Sequence, residues 1–248
     1  MTRTLPAYRS VLVVCAHPDD ESFGLGAVLS TLARNGSRIT VLCFTHGEAS
    51  TLGSVDGDLA TIRASELATA GGVLGVSRVE LLDYPDGALT AAPIDDLAGH
   101  VHRLAHEVDA DLLLVFDRGG ITGHPDHQRA TDAALASGIE AGLTVLAWAL
   151  PAGVTEHLNR EFGTGFVGRT PEDLDLTMHV DRDVQRQAIR HHQSQSNDNP
   201  VLWRRLALLG DTEHLRYLNR PSTGGSQDPA EQLPPRRAIR SQGVPASE

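Results

Sequence analysis

The chain has 248 residues, a length that fits one domain with a hydrophobic core of ordinary size. Its 32 acidic and 21 basic side chains give a formal net charge of −11. This charge argues against nucleic acid as the main partner, because phosphate binding needs clustered cations. Every basic side chain other than histidine is arginine, so chemistry through a lysine Schiff base is excluded.

Short β-branched runs alternate with helical patterns through the first part of the chain. The predicted strands are Val11–Cys15, Arg38–Phe44, Val79–Leu82, Asp111–Phe116 and Leu143–Ala149. The predicted helices are about Gly24–Arg34, Leu59–Leu74, Ile94–Val108 and Asp126–Ala141. Strands that are apolar on both faces and alternate with helices are typical of a covered parallel sheet. We therefore predict an α/β fold with an open, Rossmann-like, mostly parallel sheet and helices on both faces.

The pattern changes after Pro151, where a C-terminal extension begins. The elements predicted for it are a long loop or cap over 153–172, an edge strand over Leu174–Val180, and helices over Asp183–His192 and about Val201–Leu209. Few apolar residues remain from Pro221 onward. We expect one domain over residues 1–220 and a disordered tail over 221–248.

Two cysteines, Cys15 and Cys43, lie within apolar runs. We interpret them as buried thiols in a reducing compartment, although they could also face each other on neighbouring strands. No segment approaches the roughly 20 apolar residues that a membrane-spanning helix needs. The first apolar run is also too short for a signal peptide, so the sequence predicts a cytoplasmic protein that does not bind membranes.

Two His-Pro-Asp motifs follow predicted strands. The first stands within Ala16–Glu21 after the first strand, and the second within Gly123–Gln128 after the fourth. Ligands of open α/β folds bind beyond the carboxyl ends of the strands, so both motifs lie where chemistry is expected. Imidazole and carboxylate are good zinc ligands, and a catalytic zinc takes three from the protein while water fills the fourth position. Either motif alone could instead be a hydrogen-bonded turn.

These two motifs resemble those of the LmbE/PIG-L family of zinc-dependent N-acetylglucosaminyl deacetylases. The first reads Ala-His-Pro-Asp-Asp-Glu and the second Gly-His-Pro-Asp-His. Weaker matches to the family are Thr45–Glu48, Arg63–Glu66, Leu74–Val76, Tyr84–Leu89 and His192–Gln195. The resemblance covers about residues 11–195, and the paired motifs are its most specific part.

The resemblance implies a set of metal ligands. His17, Asp20 and His127 match the residues that hold the metal, which is zinc or, with the same donors, ferrous iron. Asp19 matches the general base that takes a proton from water. A cap on the following helix is an alternative role for Asp19, and both roles could coexist.

Two residues of the second motif are also assigned by the resemblance. His124 matches the residue that stabilises the tetrahedral oxyanion, and it could protonate the leaving amine. Asp126 fits a carboxylate that orients His124 and raises its pKa. The alternative for Asp126 is a cap on the helix that begins near His127.

Substrate contacts are expected from Arg63 and Asp86. Arg63 matches a family substrate contact, and a surface ion pair with Glu66 is the alternative. Asp86 could accept hydrogen bonds from sugar hydroxyls or belong to an ordinary Asp-Gly turn.

Three other residues near these motifs are given structural roles. His192 could help wall the site, or it could lie with its neighbour on a solvated helix face. Glu21 and Glu48 are expected to fix loop geometry through hydrogen bonds to the backbone.

The expected function is removal of an N-acetyl group from an amino sugar or its conjugate by a zinc-dependent hydrolase. The expected partner is this small-molecule substrate, and a homo-oligomer is possible. A second reading keeps the zinc chemistry but changes the amide, for example to a thiol conjugate or an antibiotic intermediate. A third is a non-catalytic metal-binding or partner-binding module. A nucleotide-binding Rossmann protein is disfavoured, because Gly24 and Gly26 lack the third glycine of that fingerprint.

Overall fold

A computed structural model of the chain describes residues 5–52 and 57–221. Its strands in this part of the chain are β1 (Ser10–Cys15), β2 (Arg38–Thr45), β3 (Arg78–Tyr84), β4 (Leu112–Phe116), β5 (Thr144–Trp148), β6 (Leu150–Pro151), β7 (Gly168–Arg169), β8 (Leu176–His179) and β9 (Thr212–Asn219). Seven of them form one sheet in the order β3-β2-β1-β4-β5-β9-β8, and β6 pairs with β7. The strands from β3 to β5 in this order are parallel, whereas β9 and β8 are antiparallel to their neighbours. The predicted mostly parallel α/β sheet is confirmed.

Helices cover both faces of the sheet. They are α1 (Asp20–Phe23), α2 (Gly26–Arg34), α3 (Leu59–Leu74), α4 (Ile94–Glu107), α5 (Gly120–Gly123), α6 (Pro125–Glu140), α7 (Ala152–Phe162), α8 (Asp183–Ile189), α9 (Gln193–Ser196) and α10 (Pro200–Leu209). Short 3₁₀ turns lie at Leu89–Ala91 and Pro171–Asp173. No helix within residues 5–52 and 57–221 is long and apolar enough to cross a membrane.

Alternate side chains of β1 enter two separate hydrophobic clusters. Val11, Val13 and Cys15 pack on the face covered by α2 and α3. Leu12 and Val14 pack on the face covered by α4 and α6. Burial of each large apolar side chain contributes about 1.5–3 kcal/mol, which explains why β1 is apolar from Val11 to Cys15. The strand is thereby held rigidly below the residues that follow it.

The C-terminal extension differs from its prediction in two places. Residues 152–162 form helix α7 and not the loop or cap predicted for 153–172, because Leu158 is fully buried against the domain despite the polar composition around it. Strand β9 was not predicted from the sequence, because its buried residues from Glu213 to Leu215 alternate with less buried ones and the segment has few apolar residues. The predicted edge strand is confirmed as β8. The single-domain boundary stays a prediction, and the predicted tail lies, apart from Pro221, outside the described residues.

Cys15 and Cys43 are partners in the register between β1 and β2, and both are buried free thiols. More important for function, β1 also pairs directly with β4. The loops that carry the two His-Pro-Asp motifs therefore leave the sheet side by side.

Candidate metal centre and active site

A cavity of about 520 Å³ lies beyond the carboxyl ends of β1 and β4. Seven of the eight predicted site residues line it: His17, Asp19, Asp20, Arg63, Asp86, His124 and His127. The eighth, Asp126, is fully buried beside His17. The tertiary structure thus brings together residues that are more than a hundred positions apart in the chain.

The three predicted metal ligands converge on one point. The distance from His17 Nδ1 to His127 Nε2 is 3.1 Å, and that from His127 Nε2 to Asp20 Oδ1 is 3.0 Å. All three donor atoms lie within 4.8 Å of one another. Two ligands bound to one tetrahedral zinc at 2.0–2.2 Å are roughly 3.3–3.6 Å apart, so the spacing is close to that of a shared ion.

Each of the three ligands makes a hydrogen bond through the atom that faces away from the other two ligands. The remaining nitrogen or oxygen of each ligand therefore points to the shared centre. His127 Nδ1 lies 3.1 Å from the carbonyl oxygen of Gly120, and His17 Nε2 lies 3.0 Å from Asp86 Oδ1. These contacts favour the neutral tautomer in which this nitrogen carries the proton, which leaves the other nitrogen of each ring to bind a cation. The second oxygen of Asp20 accepts hydrogen bonds from the backbone of Ala16 and His17. The chemistry of the three donor atoms fits a zinc or ferrous ion held between them.

The electrostatics of the triad favour positive charge. Burial disfavours protonation of His17, but hydrogen bonds to Asp126 and Asp86 outweigh it and raise the pKa of His17 to about 10. Burial also works against ionisation of Asp20, yet His127 and His17 lower the pKa of Asp20 well below its ordinary value. A carboxylate that stays ionised beside two imidazoles is the state that a divalent cation needs.

A second group of donors, formed by His17, His124 and Asp126, also lies within 4.8 Å. Its members are already engaged. Both Asp126 oxygens accept backbone hydrogen bonds, from Gly87 at 2.8 Å and Leu89 at 3.1 Å. His124 Nδ1 accepts a hydrogen bond from the backbone of Asp126 at 3.2 Å. The first triad is therefore the better metal site.

Asp19 has an unusual backbone conformation at the edge of the triad. Its φ is +120°, which is rare for a residue with a side chain and is a strain that occurs at functional sites. Its carboxylate accepts a hydrogen bond from Arg63 at 2.9 Å, and its amide donates to Glu21 at 2.9 Å. Burial raises the pKa of Asp19 to about 6, although Arg63 opposes the rise. Asp19 occupies the position before α1 but makes no side-chain cap to it.

Arg63 is buried, and its hydrogen bonds hold this strained turn in place. Its guanidinium donates to the carbonyl oxygens of Pro18 and Gly47 as well as to Asp19. The predicted alternative, a surface ion pair with Glu66, is wrong because the Arg63 side chain is only 3% exposed and turned to the cavity. Glu66 instead accepts hydrogen bonds from Ser194.

A buried pair that was not predicted from the sequence, His192 and Glu21, supports the turn at Asp19. His192 Nε2 lies 2.7 Å from Glu21 Oε1, and both side chains are fully buried. The interpretation of His192 on a solvated helix face is therefore wrong. Because 171 residues separate the pair, only the late His-x-Ser-Gln match hinted that His192 belongs near the site. The predicted role of Glu21 in fixing the loop is confirmed by its bond to the Asp19 amide.

Asp126 has different partners from those predicted. Its carboxylate lies 3.4 Å from His17 Nε2 and binds the loop of Gly87 and Leu89, whereas His124 contacts its backbone amide. Burial, with His127 and His17, lowers the pKa of His124, and the attraction of Asp126 does not reverse this direction. The predicted rise is wrong, since His124 caps α6 and its Nδ1 is occupied. In a neutral ring, its proton is therefore on Nε2.

Asp86 links the metal ligand His17 to the loop that contains Glu48 and Ala49. It accepts a hydrogen bond from the Ala49 amide and contacts His17, while its own amide donates to Glu48. This confirms the predicted loop-fixing role of Glu48. The predicted contact between Asp86 and substrate stays a prediction.

Residues of the C-terminal extension form another wall of the cavity, and none of them was assigned a site role from the sequence. This wall includes Phe166, Gln195, Asn199, Leu202 and Arg205. Only Gln195 had a sequence signal, through the His-x-Ser-Gln match.

Together, the sheet and the triad define an α/β protein with a candidate metal site at the carboxyl ends of adjacent parallel strands. The sequence model of the PIG-L family, described as GlcNAc-PI de-N-acetylase, matches residues 12–137, about half of the chain. The chain belongs to the PIG-L family.

Named relatives agree with this assignment. A protein of Salinispora arenicola named 1D-myo-inositol 2-acetamido-2-deoxy-alpha-D-glucopyranoside deacetylase is 30% identical, over 84% of this chain and 82% of its own length. A Kineococcus radiotolerans protein of the same name is 34% identical over 50% of this chain and 43% of its own length. The alignments to the Kineococcus protein and to a Streptomyces avermitilis relative span about half of those proteins, 43% and 50%.

Solved structures share the fold. N,N'-diacetylchitobiose deacetylase from Pyrococcus horikoshii superposes with a TM-score of 0.63 at 22% identity, covering 86% of this chain and 84% of its own. A 4-carboxy-2-hydroxymuconate hydratase from Pseudomonas putida superposes with a TM-score of 0.64 at 18% identity, covering 88% and 99%. The fold therefore carries more than one chemistry, and the reaction must be argued from the site.

Proposed function

We propose that the protein is a zinc-dependent hydrolase that removes the N-acetyl group from an amino sugar or amino-sugar conjugate. The observation that carries this proposal is the convergence of His17 Nδ1, His127 Nε2 and Asp20 Oδ1, with Asp19 beside them. Membership of the PIG-L family and the name of the Salinispora relative support the amino-sugar substrate.

His17, Asp20 and His127 would hold the metal. When bound, zinc supplies Lewis acidity toward the amide oxygen and lowers the pKa of water. The far-side hydrogen bonds, from His127 to the Gly120 carbonyl and from His17 to Asp86, keep each ring in the tautomer that binds a cation.

Asp19 would move the proton, and His124 would stabilise the charge that develops. Asp19 takes a proton from the attacking water and passes it to the amide nitrogen as the C–N bond breaks, so that the amine leaves neutral. Arg63 and the Glu21 carboxylate hold Asp19 in place for this step. His124 Nε2–H donates to the oxygen of the scissile amide as negative charge develops there. Donation from a neutral ring needs no prior protonation, so the lowered pKa of His124 is compatible with the role.

Three further residues position these groups or the substrate. Asp126 orients the His17 ring and supports the loop at Gly87. Asp86, on the cavity wall, would accept hydrogen bonds from sugar hydroxyls. Arg63 also lines the cavity, where its guanidinium would contact the substrate.

The proposed compartment is the cytoplasm. Cys15 and Cys43 are register partners on neighbouring strands and are both free thiols, an arrangement that suits a reducing environment.

The decisive experiment is an assay for acetate and free amine with the zinc-loaded protein. The substrates are the glucosaminyl-inositol conjugate of the Salinispora relative, N,N'-diacetylchitobiose, and matched compounds carrying a longer N-acyl chain. We expect acetate release that a chelator abolishes and zinc restores. Cleavage of only the longer amides would favour the amidase alternative. Failure to cleave any amide with zinc or ferrous iron would favour a non-catalytic metal-binding module.

A further inference from the structure

Two arginines line the cavity, and they differ in whether a carboxylate of the described residues pairs with them. Arg63 forms a direct ion pair with Asp19. Arg205 has no carboxylate within ion-pair distance among residues 5–52 and 57–221, although its side chain is nine-tenths buried. A buried charge without a partner is costly, so such a residue suggests a ligand that supplies the missing charge.

The surroundings of Arg205 hold its guanidinium but do not neutralise it. One nitrogen donates to the Phe23 carbonyl at 2.9 Å, and the guanidinium lies 5.4 Å from the ring centre of Trp148. Its Nε has no hydrogen-bond partner in the described part of the chain. Burial lowers the pKa of Arg205 to about 10, so the side chain stays cationic at neutral pH.

The nearest buried acid is already engaged. Glu213 forms an ion pair with Arg182 at 2.5 Å and accepts a hydrogen bond from Trp148 at 2.6 Å. Glu213 is therefore shared between two buried arginines, Arg182 and Arg205. Asp19 and Asp20 also attract Arg205 electrostatically, but neither forms an ion pair with it in the described part of the chain. Of the two buried arginines, Arg205 is the one that borders the cavity and has no direct ion pair there.

The other polar side chains on this wall are also occupied. Gln195 accepts a hydrogen bond from Ser50 and donates to the Ser194 carbonyl. Asn199 accepts from the Leu202 amide and donates to the Gln195 carbonyl. Asn199 keeps one N–H donor, and Arg205 is the cationic residue among them with donors left for a ligand in the described part of the chain.

We propose that Arg205 binds an anionic substituent, a carboxylate or phosphate, on the amino-sugar substrate. The acetamido group of the same substrate would lie beside His17, Asp20 and His127. The inference rests on the proposed function, and it deepens it by naming the charge of the substrate. The planar guanidinium suits anions with two oxygens, and a charge-assisted hydrogen bond favours them over neutral groups.

The test compares three N-acetylglucosamine substrates that differ in charge: the methyl glycoside, the 1-phosphate and a glycoside of glycolic acid. We expect the zinc-loaded wild-type protein to prefer one or both anionic substrates by about 10- to 100-fold in kcat/KM, the range of one charge-assisted hydrogen bond. The phosphate and carboxylate arms identify which anion the site accepts. R205M should lose the preference while retaining activity on the methyl glycoside.

The matched control is R204M, because Arg204 is the neighbouring residue of α10 but is exposed and paired with Glu161 at the surface. It should keep the wild-type preference. If R205M does not fold, R205Q decides, since it removes the charge but keeps a polar side chain that can donate to the Phe23 carbonyl. Wild-type protein without an anion preference, or a folded R205M or R205Q with an unchanged preference, would overturn the inference.

Binding measured by calorimetry separates this inference from the proposed function. R205M should bind N-acetylglucosamine 1-phosphate or the glycolic acid glycoside at least about 10-fold more weakly than R204M does, with equal affinity for the methyl glycoside. If no substrate is deacetylated but this difference in affinity is found, the anion site stands and the hydrolase proposal fails. Equal affinities in the two variants would remove the anion site, whatever the activity.

Discussion

The two His-Pro-Asp motifs have the same three residues but different backbones. In the first, Asp19 takes a φ of +120° and leads into a helix of only four residues. In the second, Pro125 begins a helix of 16 residues, and His124 takes the cap position with extended backbone. Proline suits the first turn of a helix because it has no amide proton to leave unpaired.

This difference changes what the leading histidine can do. His17 turns its Nδ1 to the triad, whereas His124 uses its Nδ1 to accept the amide of α6. The residue that follows each tripeptide, Asp20 or His127, contributes the other ligand atoms, and these two lie 3.0 Å apart. A shared tripeptide therefore does not imply a shared role, because the following backbone decides which atom faces the cavity.

The largest expected effect separates the two histidines of the second motif. His127→Ala should lose its zinc, and acetate release should fall at least about 10³-fold, since several kcal/mol of metal assistance disappear. His124→Ala should retain one zinc per chain. Metal analysis after dialysis, combined with the acetate assay, measures both. A His127→Ala protein that binds zinc as tightly as wild type would disprove the ligand set.

The next largest effect is expected for Asp19, the aspartate of the first tripeptide. Asp19→Asn should keep its zinc but lose about 10²–10⁴-fold in kcat, because an amide cannot accept the proton from water. Asp83→Asn serves as the control, since Asp83 is 95% exposed and bonds only His46 among the described residues. Wild-type kcat in a zinc-loaded Asp19→Asn protein would refute its role as base.

A smaller effect is expected for the hydrogen bond from His124. His124→Gln should lower kcat about 10²–10³-fold, as removal of one oxyanion donor does elsewhere. KM and zinc content should change little, because the bond strengthens only in the transition state. The control is His106→Gln on the exposed side of α4. A change confined to KM would mean that His124 binds substrate and does not stabilise charge.

The smallest catalytic effect is expected for Asp126. Asp126→Asn should reduce zinc affinity or kcat about 10- to 100-fold, because the carboxylate fixes the His17 ring. It should also lower the free energy of unfolding by about 1–3 kcal/mol, since an amide cannot accept from both Gly87 and Leu89. Chemical denaturation of this variant and of Asp132→Asn gives the comparison, because Asp132 is a half-exposed aspartate of α6 that pairs only with Arg118 among the described residues. Equal stability and equal zinc affinity would show that Asp126 supports neither loop nor ligand.

Much of the fold could be predicted because it is written in local patterns. The helix over Leu59–Leu74 and its end at Gly75, whose φ is +83°, have the predicted bounds. The five parallel strands were found because four of them are mostly apolar and β3 contains a short run rich in apolar residues. Helix α7 and strand β9 were missed, since their buried residues alternate with polar ones in segments of low overall hydropathy.

The site was predictable to the level of residue type but not of contact. The sequence by itself determined the donors, because imidazole and carboxylate groups recur directly beyond strands whose apolar pattern marks them as parallel. Only the tertiary structure decided that β4 lies beside β1, that Asp126 supports His17, that His192 is buried against Glu21, and that Arg205 reaches the cavity. The reason is physical: local patterns fix which face of an element is buried, whereas strand order and the packing of distant segments fix which side chains meet.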